Sequence, residues 1–323
     1  MSGPAKHKPV AQAFDPADST EMSKFSPQSR TRTDWIADLV ARGLLATLKA
    51  LPYGARVRSA GWLMRRVLGP LAGYNTRALN NLAYIWPDMS PQDAKQITAQ
   101  VLDNSGRTLI ENYSTPELLK NAEDWTPTGP GLAALEQARA DGRAVLLITG
   151  HFGNYEAARA ALTVRGYNIG GLYRPMNNGY FNDHYVSTME AFGGPVFPRG
   201  RRGTAGFVRH LKAGGQAILL IDQYQGEGQE LDFLGKPAPT ALSAADIALK
   251  WDALLIPFYA KRNDDGLSFE ITLEAPIEPS TPQAMTQALM DSLSDQVRAA
   301  PGQWFWVHRR WKPERQRNKR STP

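Results

Sequence analysis

Residues 142–156 read GRAVLLITGHFGNYE, and this stretch decides the fold. An uninterrupted apolar run from Ala144 to Ile148 lies between Gly142 and Gly150, which is typical of a strand buried on both faces. Such strands occur inside α/β sheets whose two faces are covered by helices. We therefore predict a central mixed, mostly parallel sheet flanked by helices.

The pattern becomes helical directly after this strand. Residues 156–162, EAARAAL, are rich in helix formers, and Asn154 stands where an N-cap residue would stand. His151 therefore falls in a strand-to-helix turn at the carboxyl end of a strand. Open α/β sheets bind their ligands at this edge.

His151 and Glu156 form the best candidate catalytic pair in the sequence. A turn followed by the first turn of a helix can bring them together, and a carboxylate beside one ring nitrogen leaves the other free to accept a proton. The backbone N–H groups of Gly153 and Asn154, near the helix start, could face an oxyanion formed at an attacked carbonyl. Alternatively, His151 caps the helix and Glu156 is a solvated acid of its first turn.

Residues 149–156, TGHFGNYE, resemble the signature of the lipid A biosynthesis late acyltransferases, which are the lauroyl and myristoyl acyltransferases of Gram-negative envelopes. They belong to the lysophospholipid-acyltransferase-like superfamily, whose mark is a His followed, after four residues, by an acid. The resemblance extends over roughly Trp35 to Lys312, with several motifs in the same order. It implies a general base at His151 that is oriented by Glu156.

The reaction implied by this resemblance is transfer of a fatty acyl chain from acyl carrier protein to a hydroxyl of a phosphorylated, Kdo-bearing lipid A precursor. No cofactor is implied besides the acyl-acyl carrier protein donor. Another lyso-lipid, such as a lysophospholipid or a lyso-aminolipid, stays open as acceptor because the catalytic pair would be the same. A third hypothesis is a non-catalytic basic protein that binds membranes or nucleic acid.

Three further motifs match the family in order, namely RPMNN at 174–178, DQ at 222–223 and HRR at 308–310. A guanidinium can hold a phosphate group through charge-assisted hydrogen bonds. Taken alone, Arg174 would be a surface charge and Asp222 a turn cap. The resemblance implies substrate-binding roles for Arg174, Asn177, Asp222, Gln223, Arg309 and Arg310.

The composition narrows the class of protein. The chain has 323 residues, which is enough for one sizeable α/β domain with a helical extension. Its formal net charge of +6 favours an acidic partner, and acyl carrier protein with a phosphorylated acceptor would explain this charge without nucleic acid. The absence of cysteine excludes disulfides and thiol nucleophiles, and the histidine spacing predicts no catalytic metal.

We predict four regions along the chain. They are a disordered N-terminal tail at 1–33, a helical, membrane-associating region at 34–125, an α/β acyltransferase core at 126–313 and a basic C-terminal tail at 314–323.

The apolar stretch that begins at Trp35 is interrupted by Asp38, Arg42 and Lys49, so it falls short of a spanning helix and predicts an interfacial one. A helical hairpin packed into the core is the alternative. The implied substrates place the protein at the cytoplasmic face of the inner membrane, either peripheral or with a single N-terminal anchor.

Overall fold

The structure is a computed structural model that describes residues 28–313. Residues 1–27 of the predicted N-terminal tail, and the predicted C-terminal tail at 314–323, lie outside this range. Residues 28–33 are described, and the first helix begins at Arg32.

A helical N-terminal region precedes the sheet, as predicted. A short π-helical stretch, Met64–Leu68, continues its second helix. The helices of this region are α1 (Arg32–Lys49), α2 (Tyr53–Leu63), α3 (Gly69–Leu71), α4 (Tyr74–Ile85), α5 (Pro91–Asn112) and α6 (Thr115–Ala122).

Strands and helices then alternate along the chain. The strands are β1 (Pro127–Thr128), β2 (Val145–Thr149), β3 (Ile169–Tyr173), β4 (Val196–Pro198), β5 (Gln216–Leu220), β6 (Gln229–Phe233), β7 (Lys236–Thr240), β8 (Leu254–Arg262) and β9 (Phe269–Leu273). The helices are α7 (Gly131–Ala140), α8 (Tyr155–Thr163), α9 (Gly179–Glu190), α10 (Arg201–Lys212), α11 (Ser243–Lys250) and α12 (Pro282–Ala299).

Seven of these strands form one sheet in the order β1-β9-β8-β2-β5-β3-β4. Its neighbouring strands are parallel except for β8 and β9, which run antiparallel. The predicted mixed, mostly parallel sheet is therefore confirmed. Strands β6 and β7 form a separate antiparallel hairpin.

Strand β2 lies in the interior of this sheet, and all five of its residues are buried. Val145 and Leu147 pack on the face covered by α6, α7 and α8, whereas Leu146 and Ile148 pack on the face covered by α10, α11 and α12. Burial on both faces explains why this strand is continuously apolar rather than alternating.

The register of β2 against β5 sets the position of the site. Thr149, the last residue of β2, lies opposite Leu220, the last residue of β5. His151 and Asp222 each follow two residues later, so both leave the sheet at its carboxyl edge.

A buried polar network joins the N-terminal region to the start of α8. The Glu111 carboxylate in α5 has no exposed surface. It accepts hydrogen bonds from both terminal nitrogens of Arg262, and the Nη2–Oε2 distance is 2.7 Å. Glu111 Oε2 also accepts a hydrogen bond from Asn154 Nδ2 at 2.8 Å. The other side-chain atom of Asn154, Oδ1, caps α8 by accepting the N–H groups of Glu156 and Ala157. The predicted N-cap is thus present and is held by a fully satisfied buried ion pair.

Helix α1 leaves an apolar face exposed. Trp35, Ile36, Leu39 and Val40 are between 52% and 66% exposed. Within residues 28–313, no helix is both long enough and apolar enough to cross a membrane.

Candidate active site

His151 and Asp222 form a close pair at the carboxyl edge of the sheet. His151 Nδ1 lies 2.8 Å from Asp222 Oδ1, and the backbone N–H of His151 donates to Asp222 Oδ2 at 2.7 Å. The carboxylate has no exposed surface, whereas the imidazole is 23% exposed. Asp222 therefore fixes both the ring and the main chain of His151, and Nε2 is the ring nitrogen left for a substrate.

The Asp222 carboxylate stays ionised in spite of its burial. Burial alone would raise its pKa, but the charge of His151, the hydrogen bonds from the ring and main chain of His151 and the nearby His308 together lower that pKa below its usual value. The indole N–H of Trp304 donates to Asp222 Oδ2 at 2.9 Å. The imidazole thus has a permanent negative charge behind it.

A second histidine, His308, lies against the first. The two ring centroids are 4.5 Å apart with the planes at 79°, and Phe305 lies edge-on to His308 at 4.9 Å. Burial, followed by the charge of His151, lowers the pKa of His308 to about 4. His308 is therefore neutral near pH 7, and its buried Nε2 has no hydrogen-bond partner among residues 28–313.

The backbone around His308 is fixed by the N-terminal region. Asn81 Nδ2, in α4, donates to the carbonyls of both Trp306 and His308, each at 2.7 Å. Sequence reasoning gave His308 no role. The signal that could have found it is its place at the start of the HRR motif.

The predicted contact between His151 and Glu156 is absent from the described structure. Glu156 is buried and accepts a hydrogen bond from Arg159 Nη1 at 3.2 Å. The Asn154 cap places Glu156 in the first turn of α8, where the side chain three residues later is its natural partner. The carboxylate that faces the imidazole follows the end of the neighbouring strand β5 and does not come from helix α8.

The two backbone groups predicted to bind an oxyanion are already engaged. The N–H of Gly153 donates to the carbonyl of Gln303 at 2.9 Å, and the N–H of Asn154 donates to the carbonyl of Ala260 at 3.2 Å. Each N–H carries one hydrogen, so neither is free for a substrate oxygen. The structure corrects this expectation.

Arg174 and Asn177 are exposed at the carboxyl end of β3, and the structure brings them together. Arg174 Nη2 lies 3.4 Å from Asn177 Oδ1. Both side chains lie on the same edge of the sheet as His151, so they remain candidates for contact with a substrate.

The remaining predicted binding residues divide by burial. Gln223 and Arg309 are exposed, whereas Arg310 has no exposed surface. The Arg310 guanidinium donates to the carbonyl of Pro239 at 2.6 Å and to Thr240 Oγ1 at 2.5 Å. Arg310 therefore fastens the C-terminal segment to β7 and presents no surface to a substrate, which corrects its predicted role.

This arrangement can act as a general base. A histidine whose Nδ1 is held by an ionised carboxylate can take a proton at Nε2 and later return it. Among residues 28–313, no three His, Asp or Glu side chains converge as ligands of one metal ion.

The chain matches one protein family and is similar to several known proteins. The model of the family described as bacterial lipid A biosynthesis acyltransferase matches residues 22–313. A lipid A biosynthesis acyltransferase of Haemophilus influenzae is 26% identical over 273 residues, which are 81% of this chain and 83% of that protein. The lipid A biosynthesis lauroyltransferase of Escherichia coli is 24% identical over 302 residues, which are 91% and 96% of the two chains. A phosphatidylinositol mannoside acyltransferase of Mycobacterium tuberculosis is 24% identical over 292 residues, or 88% and 90%.

Titration of His308 makes a testable contribution to stability. Its pKa is lowered from 6.5 to about 4 in the folded protein, so the unfolded chain binds a proton there that the folded protein does not. The resulting stabilisation is complete above the unfolded value of 6.5 and is lost as the pH falls towards 4. We expect the unfolding free energy to fall between about pH 8 and about pH 5 by about 2 kcal/mol more in the wild type than in His308→Phe.

Urea denaturation of both proteins across this pH range measures the difference. The phenylalanine keeps a ring against His151 but cannot be protonated. Parallel pH profiles for the two proteins would contradict the assignment.

Proposed function

The chain belongs to the bacterial lipid A biosynthesis acyltransferase family, and we propose that it transfers a fatty acyl chain from acyl carrier protein to a hydroxyl of a phosphorylated lipid A precursor. The observation that carries the proposal is the 2.8 Å contact between His151 Nδ1 and the buried carboxylate of Asp222. It supplies a base for a hydroxyl nucleophile at the edge of the sheet where substrates bind.

In the proposed reaction, Nε2 of His151 takes the proton of the acceptor hydroxyl while its oxygen attacks the thioester carbonyl. The tetrahedral intermediate collapses, so that a C–O bond has formed and the C–S bond breaks. The departing thiolate takes the proton back from His151. Asp222 keeps the imidazole in the reactive tautomer and stabilises the imidazolium that forms.

We assign to Asp222 the orienting role that the sequence predicted for Glu156. The Glu156 carboxylate pairs with the fully buried Arg159, whose Nη2 donates to the carbonyl of Gly193 at 2.5 Å. This pair ties the first turn of α8 to the loop after α9. Glu156 would therefore support the turn that carries His151.

One of the comparisons keeps a second class of acceptor open. The relative that is named for a phosphatidylinositol mannoside is as similar in identity as the lauroyltransferase, at 24% each. Sequence identity therefore does not separate a lipid A precursor from another glycolipid or a lyso-lipid. The same catalytic pair would serve each of them.

We also propose that the protein works as a peripheral enzyme at the cytoplasmic face of the inner membrane and binds it through α1. The exposed Trp35, Ile36, Leu39 and Val40 recur at helical spacing on one side of α1. The following helices expose the cationic side chains of Arg58, Arg65 and Arg66. An apolar helical face beside basic residues fits an anionic lipid surface.

Acyl transfer in vitro tests the reaction and the acceptor together. Wild type and His151→Ala should be assayed with a panel of acyl carrier protein thioesters and with a Kdo-bearing lipid A precursor, a mannosylated glycolipid and lysophospholipids as acceptors. We expect transfer to the lipid A precursor that falls by about a hundredfold or more in His151→Ala. Transfer only to the other acceptors would support the mechanism but contradict the lipid A precursor as acceptor. Equal activity of wild type and His151→Ala would contradict the mechanism.

Asp222→Asn and Glu156→Gln form a matched pair of carboxylate-to-amide changes. Loss of the orienting carboxylate should lower kcat by about ten-thousandfold in Asp222→Asn. Ring ¹⁵N NMR of His151 should detect the Nδ1 proton in wild type and in Glu156→Gln but not in Asp222→Asn. Loss of this signal in Glu156→Gln alone would return the orienting role to Glu156.

Replacement of Leu39 and Val40 by glutamate tests the membrane-binding face. Because the double variant would place two charges where apolar side chains enter the lipid, we expect its binding to phosphatidylglycerol-containing vesicles to weaken by at least about tenfold. Leu249→Glu in α11, where the leucine is 40% exposed, is the matched control and should bind like wild type. Vesicle flotation measures both, and equal loss in the control would contradict the assignment.

A further inference from the structure

The stretch between Glu190 and Asp222 is basic and contains no acidic residue. Its cationic residues are Arg199, Arg201, Arg202, Arg209 and Lys212. Three of the five fall within four consecutive positions at the end of β4 and the start of α10. The positive charge is therefore concentrated at the carboxyl edge of the sheet.

Arg199 leaves the sheet beside Arg174. Strands β3 and β4 are parallel with Tyr173 opposite Pro198, and the N–H of Arg199 donates to the carbonyl of Tyr173 at 2.7 Å. Arg174 directly follows the last residue of β3, and Arg199 directly follows the last residue of β4. Strand β3 is two positions from β2 in the sheet, which places its end roughly 10 Å from that of β2, where His151 follows.

These guanidinium groups lack carboxylate partners. Within residues 28–313, Arg174, Arg199, Arg201 and Arg202 form no ion pair with Asp or Glu. Partial withdrawal from water, followed by the charge of Arg174, lowers the pKa of the Arg199 guanidinium below its usual value. Two like charges held together at the edge of a substrate site favour an anionic ligand.

The start of α10 adds to this positive potential. Gly200 precedes the helix with φ 127° and supplies no side-chain cap, and the first turn contains no acidic residue. Uncapped N–H groups and the helix dipole favour an anion at this end, yet the first turn carries Arg201 and Arg202. A bound phosphate would satisfy both the helix end and the arginines.

We propose that Arg174 and Arg199, together with the first turn of α10, bind a phosphate group of the acceptor lipid. This proposal rests on the proposed acyl transfer to a phosphorylated lipid. It extends the binding role beyond Arg174 to a second arginine and a helix end. Bound there, the phosphate would hold the acceptor with its hydroxyl within reach of His151, since β2 and β3 end at the same edge of the sheet.

The acceptor lipid is a better candidate for this site than the acyl carrier protein, because the start of α1 is hydrogen-bonded to the loop between β3 and α9, which contains Arg174. The N–H of Ser29 donates to the carbonyl of Asn177 at 2.8 Å, and the carbonyl of Ser29 accepts the N–H of Gly179 at 2.9 Å. Asn178 Nδ2 donates to the carbonyl of Asp34, in the first turn of α1, at 2.8 Å. The exposed apolar face of α1 therefore begins beside Arg174, where the headgroup of a membrane lipid would lie.

Steady-state kinetics of Arg174→Gln, Arg199→Gln and the double variant test the proposal, with the phosphorylated acceptor and with its dephosphorylated form. Each single change should raise the acceptor KM by about tenfold to a hundredfold, the loss expected for a charge-assisted hydrogen bond, and leave the KM of the acyl donor unchanged. The double variant should lose less than the product of the two single effects, because both arginines hold one group. With the dephosphorylated acceptor, all four proteins should have similar acceptor KM values.

Arg209→Gln is the matched control, because Arg209 is an exposed arginine later in the same helix. It should leave the acceptor KM unchanged. An equal loss with both forms of the acceptor would overturn the proposal. A rise in the KM of acyl carrier protein instead would assign the surface to the carrier and also overturn it.

A binding assay separates failure of this inference from failure of the proposed function. Flotation with vesicles that carry either the phosphorylated or the dephosphorylated lipid needs no turnover. If wild type transfers no acyl chain but prefers the phosphorylated vesicles, and Arg199→Gln loses that preference, the result supports the phosphate site and contradicts the proposed reaction. If transfer occurs and Arg199→Gln keeps the preference for phosphorylated vesicles, the result supports the proposed reaction and contradicts the phosphate site.

Discussion

The site depends on one buried carboxylate. Asp222 has no exposed surface, yet it accepts hydrogen bonds from the ring and the main chain of His151 and from the indole of Trp304. A buried charge is tolerated only when it is paired and hydrogen-bonded. These contacts join the turn after β2, the end of β5 and the C-terminal segment, so the three parts of the chain must be in place together for the imidazole to be oriented.

The sequence predicts what is local and misses what depends on strand order. The apolar run from Ala144 to Ile148 correctly predicts a strand buried on both faces, and Asn154 correctly predicts the cap of α8. The spacing between His151 and Glu156 suggested a pair, but the partner of His151 lies 71 residues away, just after the end of a neighbouring strand. Strand order is a long-range property, and no local pattern encodes it. Equally, no local pattern revealed that the N–H of Gly153 would be taken up by the carbonyl of Gln303.

The N-terminal helices belong to the construction of the site. Glu111 in α5 binds both Arg262 and Asn154, and Asn154 starts the helix that follows the His151 turn. Removal of one member of a buried ion pair leaves an uncompensated charge, which typically destabilises a protein by about 3–5 kcal/mol. The turn that carries His151 is thus held by α5 on one side and by Asp222, which follows β5, on the other.

The edge-on contact between His151 and His308 limits how many protons the site can hold. The rings are 4.5 Å apart, and a charge on His151 lowers the proton affinity of His308. During the proposed reaction, the proton that arrives on His151 cannot pass to His308 at little cost. It stays on the first ring until the leaving sulfur takes it. In the proposed reaction one proton would therefore move from the acceptor hydroxyl to His151 and on to the departing thiolate, and His308 would take no part in this transfer.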